Sequence, residues 1–459
     1  MCDSLRERER YFRKEKPAKE IDQHGVRESF CSFCDYLDNF SSNFSHEDLY
    51  NFLCDCFSWL NTFTKAKPVP YVLIFDSSFP KNLVDIYMFT EITLPEEEKM
   101  LKILSYLTSK TAKVLDPIFL QRDFLNRLFA SLNNQSLQVV AAGETIASNI
   151  LSFDNGFEAL YETQIVNRFE NVLIHSGDFE VKSMACYFLE TCIKHIKDRD
   201  ELDFIIQQFV KQLELPKENK RPLIHALRII LDHIKNNPEH LINFANMGII
   251  ELCIQFIEDP DNERQYIMDY SLKIIGMYVQ NNEEIERIVS LGIIDILLNM
   301  RGFFNLNELY KVDEDTFGFV CDILKGLIQQ SDPFIQQCLD QSNFIQKLTS
   351  MMISGPLCFQ INCFQIFEEI VNCKIDNWLA FYFNNGGLNC LMNLLNSEIT
   401  EKILSIFIKI CEYNNNFINS LLESGVDEKI NDLIVATDNQ KISDLCQILF
   451  DLFNEKNNP

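Results

Sequence analysis

NMGIIELCIQF (residues 246–256) and SLGIIDILLNM (residues 290–300) set the reading of the whole chain. Gly-Ile-Ile recurs after 44 residues, from Gly248 to Gly292, and each copy is followed by an acidic residue, Glu251 or Asp295. Ile249, Ile250, Cys253, Ile254 and Ile257 then fall on one side of a helix of 3.6 residues per turn. The glycine supplies a sharp turn into that helix, because it enters left-handed backbone at little cost.

The same apolar pattern runs outward in both directions. It opens with Phe124 and Leu125, with Ile165 and Val166, with Ile205 and Ile206, and with Ile293 and Ile294. Further on it recurs at Phe344 and Ile345, at Leu388, and at Val426. The anchors stand at 124, 165, 205, 249, 293, 344, 388 and 426, with steps of 41, 40, 44, 44, 51, 44 and 38. The long step holds GFFNLNELY (302–310), read as a loop insertion. Asn237-Pro238 and Asp332-Pro333 pair an N-cap residue with a first-turn proline and lie 95 residues apart, as do anchors 249 and 344. Asp116-Pro117 opens the first unit in the same way. Each unit reads as a short helix (PEHLINFANM), the anchor helix, and a longer third helix within DNERQYIMDYSLKIIGMYVQ. One unit cannot cover its own apolar faces, whereas stacked units can.

Composition agrees with a helical array. The chain has 459 residues and is 47% apolar, with only 14 Gly and 13 Pro. Lys and Arg total 41 against 67 Asp and Glu, a formal net charge of −26. A field of that sign repels phosphate backbones and anionic membranes, so nucleic acid is not an expected partner; the charge suits a basic segment or simply keeps a large apolar protein soluble, and the second reading is favoured. Sixteen Cys are scattered through apolar runs as small buried hydrophobes, which implies a reduced, intracellular protein, cytoplasmic or nuclear. The start of the chain has no apolar leader. The uncharged stretches 349–367 and 377–397 are interrupted by polar residues, Gly or Pro, so no membrane insertion is expected. Residues 1–27, with eight basic and six acidic side chains, read as a charged arm. Residues 28–110 read as an N-terminal helical region, either a cap or part of the array, with 66–82 as its longest loop; residues 111–459 read as about eight repeats.

Three helices in roughly forty residues, with Gly before an apolar pair, resemble the armadillo repeat family; 246–300 and SLNNQSLQVVAAGETIASNILS (131–152) carry the resemblance. The two-helix HEAT array is the alternative for individual repeats. The resemblance implies an all-α, right-handed α-solenoid superhelix whose third helices line a groove for extended peptides. Import adaptors of the family carry Trp and Asn four residues apart on those helices. Here the Trp-like positions hold Tyr187, His225 and Tyr270, and the Asn-like positions hold Thr191, Ile229 and Ile274. Isoleucine cannot clamp a peptide backbone, so the chain departs from that mode.

Chemical motifs are sparse. Cys31, Cys34, Cys54 and Cys56 could supply four thiolates to zinc, but they lie in apolar helical runs, and a Cys-x-Cys pair diverges on a helix. His233 and His240 read as capping or snorkelling residues near a helix end. NNGGLNC (384–390) lacks the Lys-Ser/Thr of a phosphate loop. KENKRP (217–222) reads as a polar loop or a docking signal. The expectation is a non-catalytic protein-binding scaffold without a cofactor. Its partner would be a protein or extended peptide, with a basic one as one option. The groove would be formed by Tyr187, Glu190, His225, Arg228 and Tyr270, together with Lys273, Asp322, Lys325, Glu368 and Lys409. The alternatives are a diverged nuclear import adaptor and a zinc-containing N-terminal domain carried on a helical array.

Overall fold

The computed structural model describes residues 23–40, 44–64, 71–109, 116–176, 178–196, 199–213, 220–259, 265–300, 304, 313–395, 397–413 and 415–457. Among them are 28 α-helices, one 3-10 helix and no strand. By its internal contacts the chain divides into two compact units, Met1–Gln212 and Leu213–Pro459.

The junctions explain why the anchors recur. Gly248, Gly292, Gly386 and Gly425 precede anchor helices with φ of 81°, 80°, 89° and 75°. Gln164 and Asn343 hold the same place with φ of 61° and 54°. Left-handed backbone strains a residue with a Cβ, least so Asn, and Gln164 therefore sits at a cost set by the packing around it. At Gly248 the direction changes by 80° between Pro238–Asn246 and Ile249–Glu258, which lets both helices bury an apolar side. Two anchors depart from this pattern. The helices holding Phe124 and Ile205 begin earlier, at Arg122 and Arg199, and Gln121 before the first is extended rather than left-handed.

The proline signals also divide. Asp332 is a true N-cap: its carboxylate accepts from the Phe334 and Ile335 amides at 2.7 and 3.2 Å. Asn237 precedes only a 3-10 turn, Pro238–His240, and its amide instead donates to the His233 carbonyl at 3.1 Å. The stretch 66–82 is not a continuous loop: Tyr71–Phe75 is helical and Phe79–Phe89 begins inside it, with Pro80 in the first turn, where no amide donor is needed. Helix Gln23–Asp38 likewise begins within the stretch read as a charged arm, and Lys220–Asn236 begins within KENKRP. Residues 1–22, 217–219 and 302–310 except Phe304 lie outside the described residues.

In each unit the long helix of one triplet packs on the long helix of the next. In the first unit the series is His46–Thr64, Leu94–Thr108, Leu137–Ile150 and Phe179–Cys192. In the second it is Lys220–Asn236, Gln265–Gln280, Glu314–Gln329, Leu357–Asn372, Thr400–Tyr413 and Gln440–Asn457. The series in the first unit thus starts well before residue 111.

Small residues allow the close approach. A Cβ on Gly326 would stand 2.5 Å from the Val279 side chain, and one on Gly276 would touch Ile323 at 3.8 Å. Each long helix buries its inner side, for example Phe317, Val320, Leu324 and Leu327 in Glu314–Gln329. Burial of such side chains stabilises by about 1.5–3 kcal/mol each before chain entropy is set against it. Several buried polar groups are paired: Trp378 donates to Asp340 at 2.6 Å, and the Tyr278 hydroxyl donates to the Leu241 carbonyl at 3.0 Å.

No single helix among the described residues is long and apolar enough to cross a membrane. The two uncharged stretches 349–367 and 377–397 each run across two helices.

Candidate functional site

The outer sides of the long helices carry the side chains expected to line a groove. In the first unit, Tyr187 is exposed and Glu190 half-buried, one turn apart on Phe179–Cys192. The other eight stand on consecutive long helices of the second unit. Among them His225, Arg228, Tyr270, Lys273, Asp322, Lys325 and Glu368 are half-buried, and Lys409 is exposed.

Same-helix pairs at i and i+3 meet as helix geometry requires. The Arg228 guanidinium lies 3.4 Å from the His225 ring, and Lys325 lies 3.4 Å from Asp322. The Lys273 ammonium lies 5.6 Å from the centre of the Tyr270 ring. Contacts between helices were not legible beforehand. Lys273 approaches the Phe319 ring of the next long helix more closely, at 4.3 Å, and Lys409 donates to Asn372 at 2.8 Å. A cation over an aromatic face gains electrostatically from the ring quadrupole, and more when half-buried. Thr316 donates to Asp269 at 2.7 Å across the same seam. Burial raises the Asp269 carboxyl above its ordinary value, while Thr316 and Lys273 draw it back down. The face is therefore a row of partly desolvated charges and rings held in place by the helices beneath.

Two of the three positions aligned with the import adaptors' Asn do not face outward. Ile229 and Ile274 are buried, and Thr191 returns its hydroxyl to the Tyr187 carbonyl.

Cys31 and Cys34 lie on Gln23–Asp38, and Cys54 and Cys56 on His46–Thr64. Cys31 is exposed, Cys34 and Cys54 half-buried, and Cys56 buried; among the described residues they form no metal-ligand cluster. Burial pushes the Cys56 thiol far up, and pushes Cys253 and Cys186 up to about 12 and Cys390 up to about 11. These thiols stay protonated and behave as core side chains rather than nucleophiles.

His233 and His240 do more than cap. Both are buried, their Nε2 and Nδ1 share a hydrogen bond at 2.8 Å, and Phe244 packs on the His233 ring. The spacing of seven residues spans a helix end, so periodicity alone does not reveal the pairing.

Clefts open beside the shorter helices, and two of them hold an arginine. One, of about 700 Å³ in the second unit, takes Ile285, Glu286, Arg287 and Ser290 from Ile285–Ser290, and Asp332, Phe334 and Ile335 from the next triplet. Its Arg287 is saturated: Nε donates to Glu251 at 2.8 Å and Nη1 to Glu284 at 3.5 Å. The other, of about 500 Å³ in the first unit, has Phe129 and Asn133 on one side. Gln164, Asn167, Arg168, Asn171 and Val172 form its other side, and His175 and Ser176 close one end.

The chain matches no family model and no curated protein. Among solved structures it is similar to the crystal structure of an engineered protein, with a TM-score of 0.63 and 15% identity over 93% of this chain and 99% of that one. At that identity the likeness shows the fold alone: an all-helical architecture that a solved protein shares across nearly its whole length.

Proposed function

We propose that the chain is a non-catalytic protein-binding scaffold or adaptor. In this reading each unit is a run of armadillo-like three-helix repeats wound as a right-handed α-solenoid, and the long helices hold an extended segment of a partner in the cytoplasm or nucleus. The observation that carries the reading is the row of half-buried charges and rings on consecutive long helices of the second unit. His225 and Arg228, Tyr270 with Lys273 and Phe319, and Asp322 with Lys325 lie on three successive helices. Partly desolvated aromatic and guanidinium groups are the side chains in which interface affinity concentrates. The net charge of −26 favours basic partners through steering that weakens with salt. Buried isoleucines at the Asn-like positions weigh against the import-adaptor mode.

The test is affinity capture from a cell extract by the full chain, repeated with Arg228→Glu and Lys273→Glu together. Both side chains are half-buried at the outer side of their helices, so the variant is expected to fold and to lose its captured proteins. Undiminished recovery of every partner would overturn the assignment of this face.

A further inference from the structure

Arg168 is the least satisfied cation in the described chain. Its helix, Ile165–His175, presents Gln164, Asn167, Arg168, Asn171, Val172 and His175 along one stripe at helical spacing. Only Nη2 is engaged, donating to the carbonyl of Leu132, a helix-terminal acceptor that has no partner within its own helix. Nε and Nη1 are buried, and neither has a hydrogen-bond partner among the described residues. The guanidinium also lies over the Phe169 ring, 5.2 Å from its centre. Burial lowers its pKa, yet a guanidinium remains charged under any physiological condition. A buried cation whose fork lacks acceptors is costly to keep, and native chains rarely leave such groups unpaired.

The surrounding cleft has one chemical character. Its lining contains no carboxylate, in a chain that has 67 Asp and Glu. Apart from Phe129 and Val172, it presents carboxamides, an imidazole and a hydroxyl beside the guanidinium. The planar fork matches a carboxylate in a bidentate manner, and carboxamides match the donors and acceptors of a peptide backbone.

We propose that the Arg168 cleft is a docking site for an acidic side chain of an extended peptide. The carboxylate pairs with the guanidinium, whose buried Nε and Nη1 must turn toward the cleft to meet it, and Asn167 and Asn171 hold the flanking backbone. The site lies wholly within the first unit and does not depend on the long-helix face of the second, so Arg228→Glu with Lys273→Glu leaves it intact.

The test is calorimetric titration of the full chain with acetyl-Ala-Ala-Glu-Ala-Ala-amide, its Gln counterpart, and glutarate. The Glu peptide is expected to bind, and the Gln peptide to bind at least about tenfold more weakly. Arg168→Met retains the stem over Phe169 and should lose about tenfold or more, while melting no lower than the native chain. Asn171→Ala, at an exposed position, should lose about threefold and serves if Arg168→Met does not fold. No binding of the Glu peptide by folded protein, or equal binding of the Glu and Gln peptides, overturns the proposal. So does undiminished binding by Arg168→Met. Glutarate binding as tightly as the Glu peptide overturns the peptide assignment, since the carboxamides would then contribute nothing.

Discussion

Arg287 and Arg168 both border clefts beside short helices, and their surroundings are opposite. Arg287 donates to Glu251 and Glu284, and those hydrogen bonds raise its pKa. Arg168 meets only a neutral carbonyl, and burial lowers its pKa. In the first cleft the chain supplies the counter-charge; in the second it supplies none. An internally neutralised arginine holds helices together, whereas one with an unused fork is suited to receive an anion from elsewhere. Asp269 is the acidic counterpart of Arg168: a half-buried charge that accepts from one neutral hydroxyl, with Lys273 nearby.

The largest expected effect comes from turning one cleft into the other. In an Arg168→Met background, changing Glu251, Glu284 and Glu286 together to Gln removes the acids that pair with Arg287 and leaves Asp332, which caps its own helix, as the one carboxylate in the cleft lining. The Arg287 cleft should then gain affinity for the Glu peptide by about tenfold, read by calorimetry. No gain would break the comparison, since the surrounding acids would then not be what distinguishes the two arginines.

Next is a difference of sign in stability. Arg287→Met should destabilise by about 0.5–1 kcal/mol, the range for a partly exposed ion pair. Arg168→Met should be neutral or stabilising by about 1 kcal/mol, because it removes unpaired buried donors. Urea midpoints for the two variants measure this directly, and loss of stability in both would remove the distinction.

The smallest effect belongs to Asp269. Its folded pKa is raised, so the folded state binds more protons than the unfolded chain between the two pKa values. Stability should therefore fall as pH rises from about 4 through the folded pKa. Asp269→Asn should flatten that part of the profile by a few tenths of a kcal/mol, discounted for its partial exposure. A profile unchanged by the substitution would show that the hydroxyl and Lys273 compensate fully.

Much of this architecture can be read along the chain. Gly248 and Gly292 announce the junctions because left-handed backbone selects glycine, and Ile249-Ile250 and Ile293-Ile294 announce the helices that follow. Gln164 occupies the same junction without any such signal, since its backbone is imposed by packing rather than preferred locally, and Asn343 carries only the weaker preference of Asn for that backbone. The pair Asp322 and Lys325 is legible because three residues make one helical turn. Lys273 over Phe319 and Lys409 on Asn372 are not, because they depend on the register between successive helices, which changes with every unequal step. The Arg168 cleft is hidden for the same reason. Leu132 lies 36 residues away, and in NRFENVLIH the arginine falls on the polar side that a helical pattern assigns to solvent.

The central claim is that partners lie along the outer sides of the long helices in the second unit. Hydrogen–deuterium exchange of the full chain, with and without a partner captured by the native protein, reads this most directly. The account predicts added protection in Gln265–Gln280, Glu314–Gln329 and Leu357–Asn372. Protection confined to Ile249–Glu258, Ile293–Asn299 and Phe344–Ser354, with those three long helices unchanged, would contradict it.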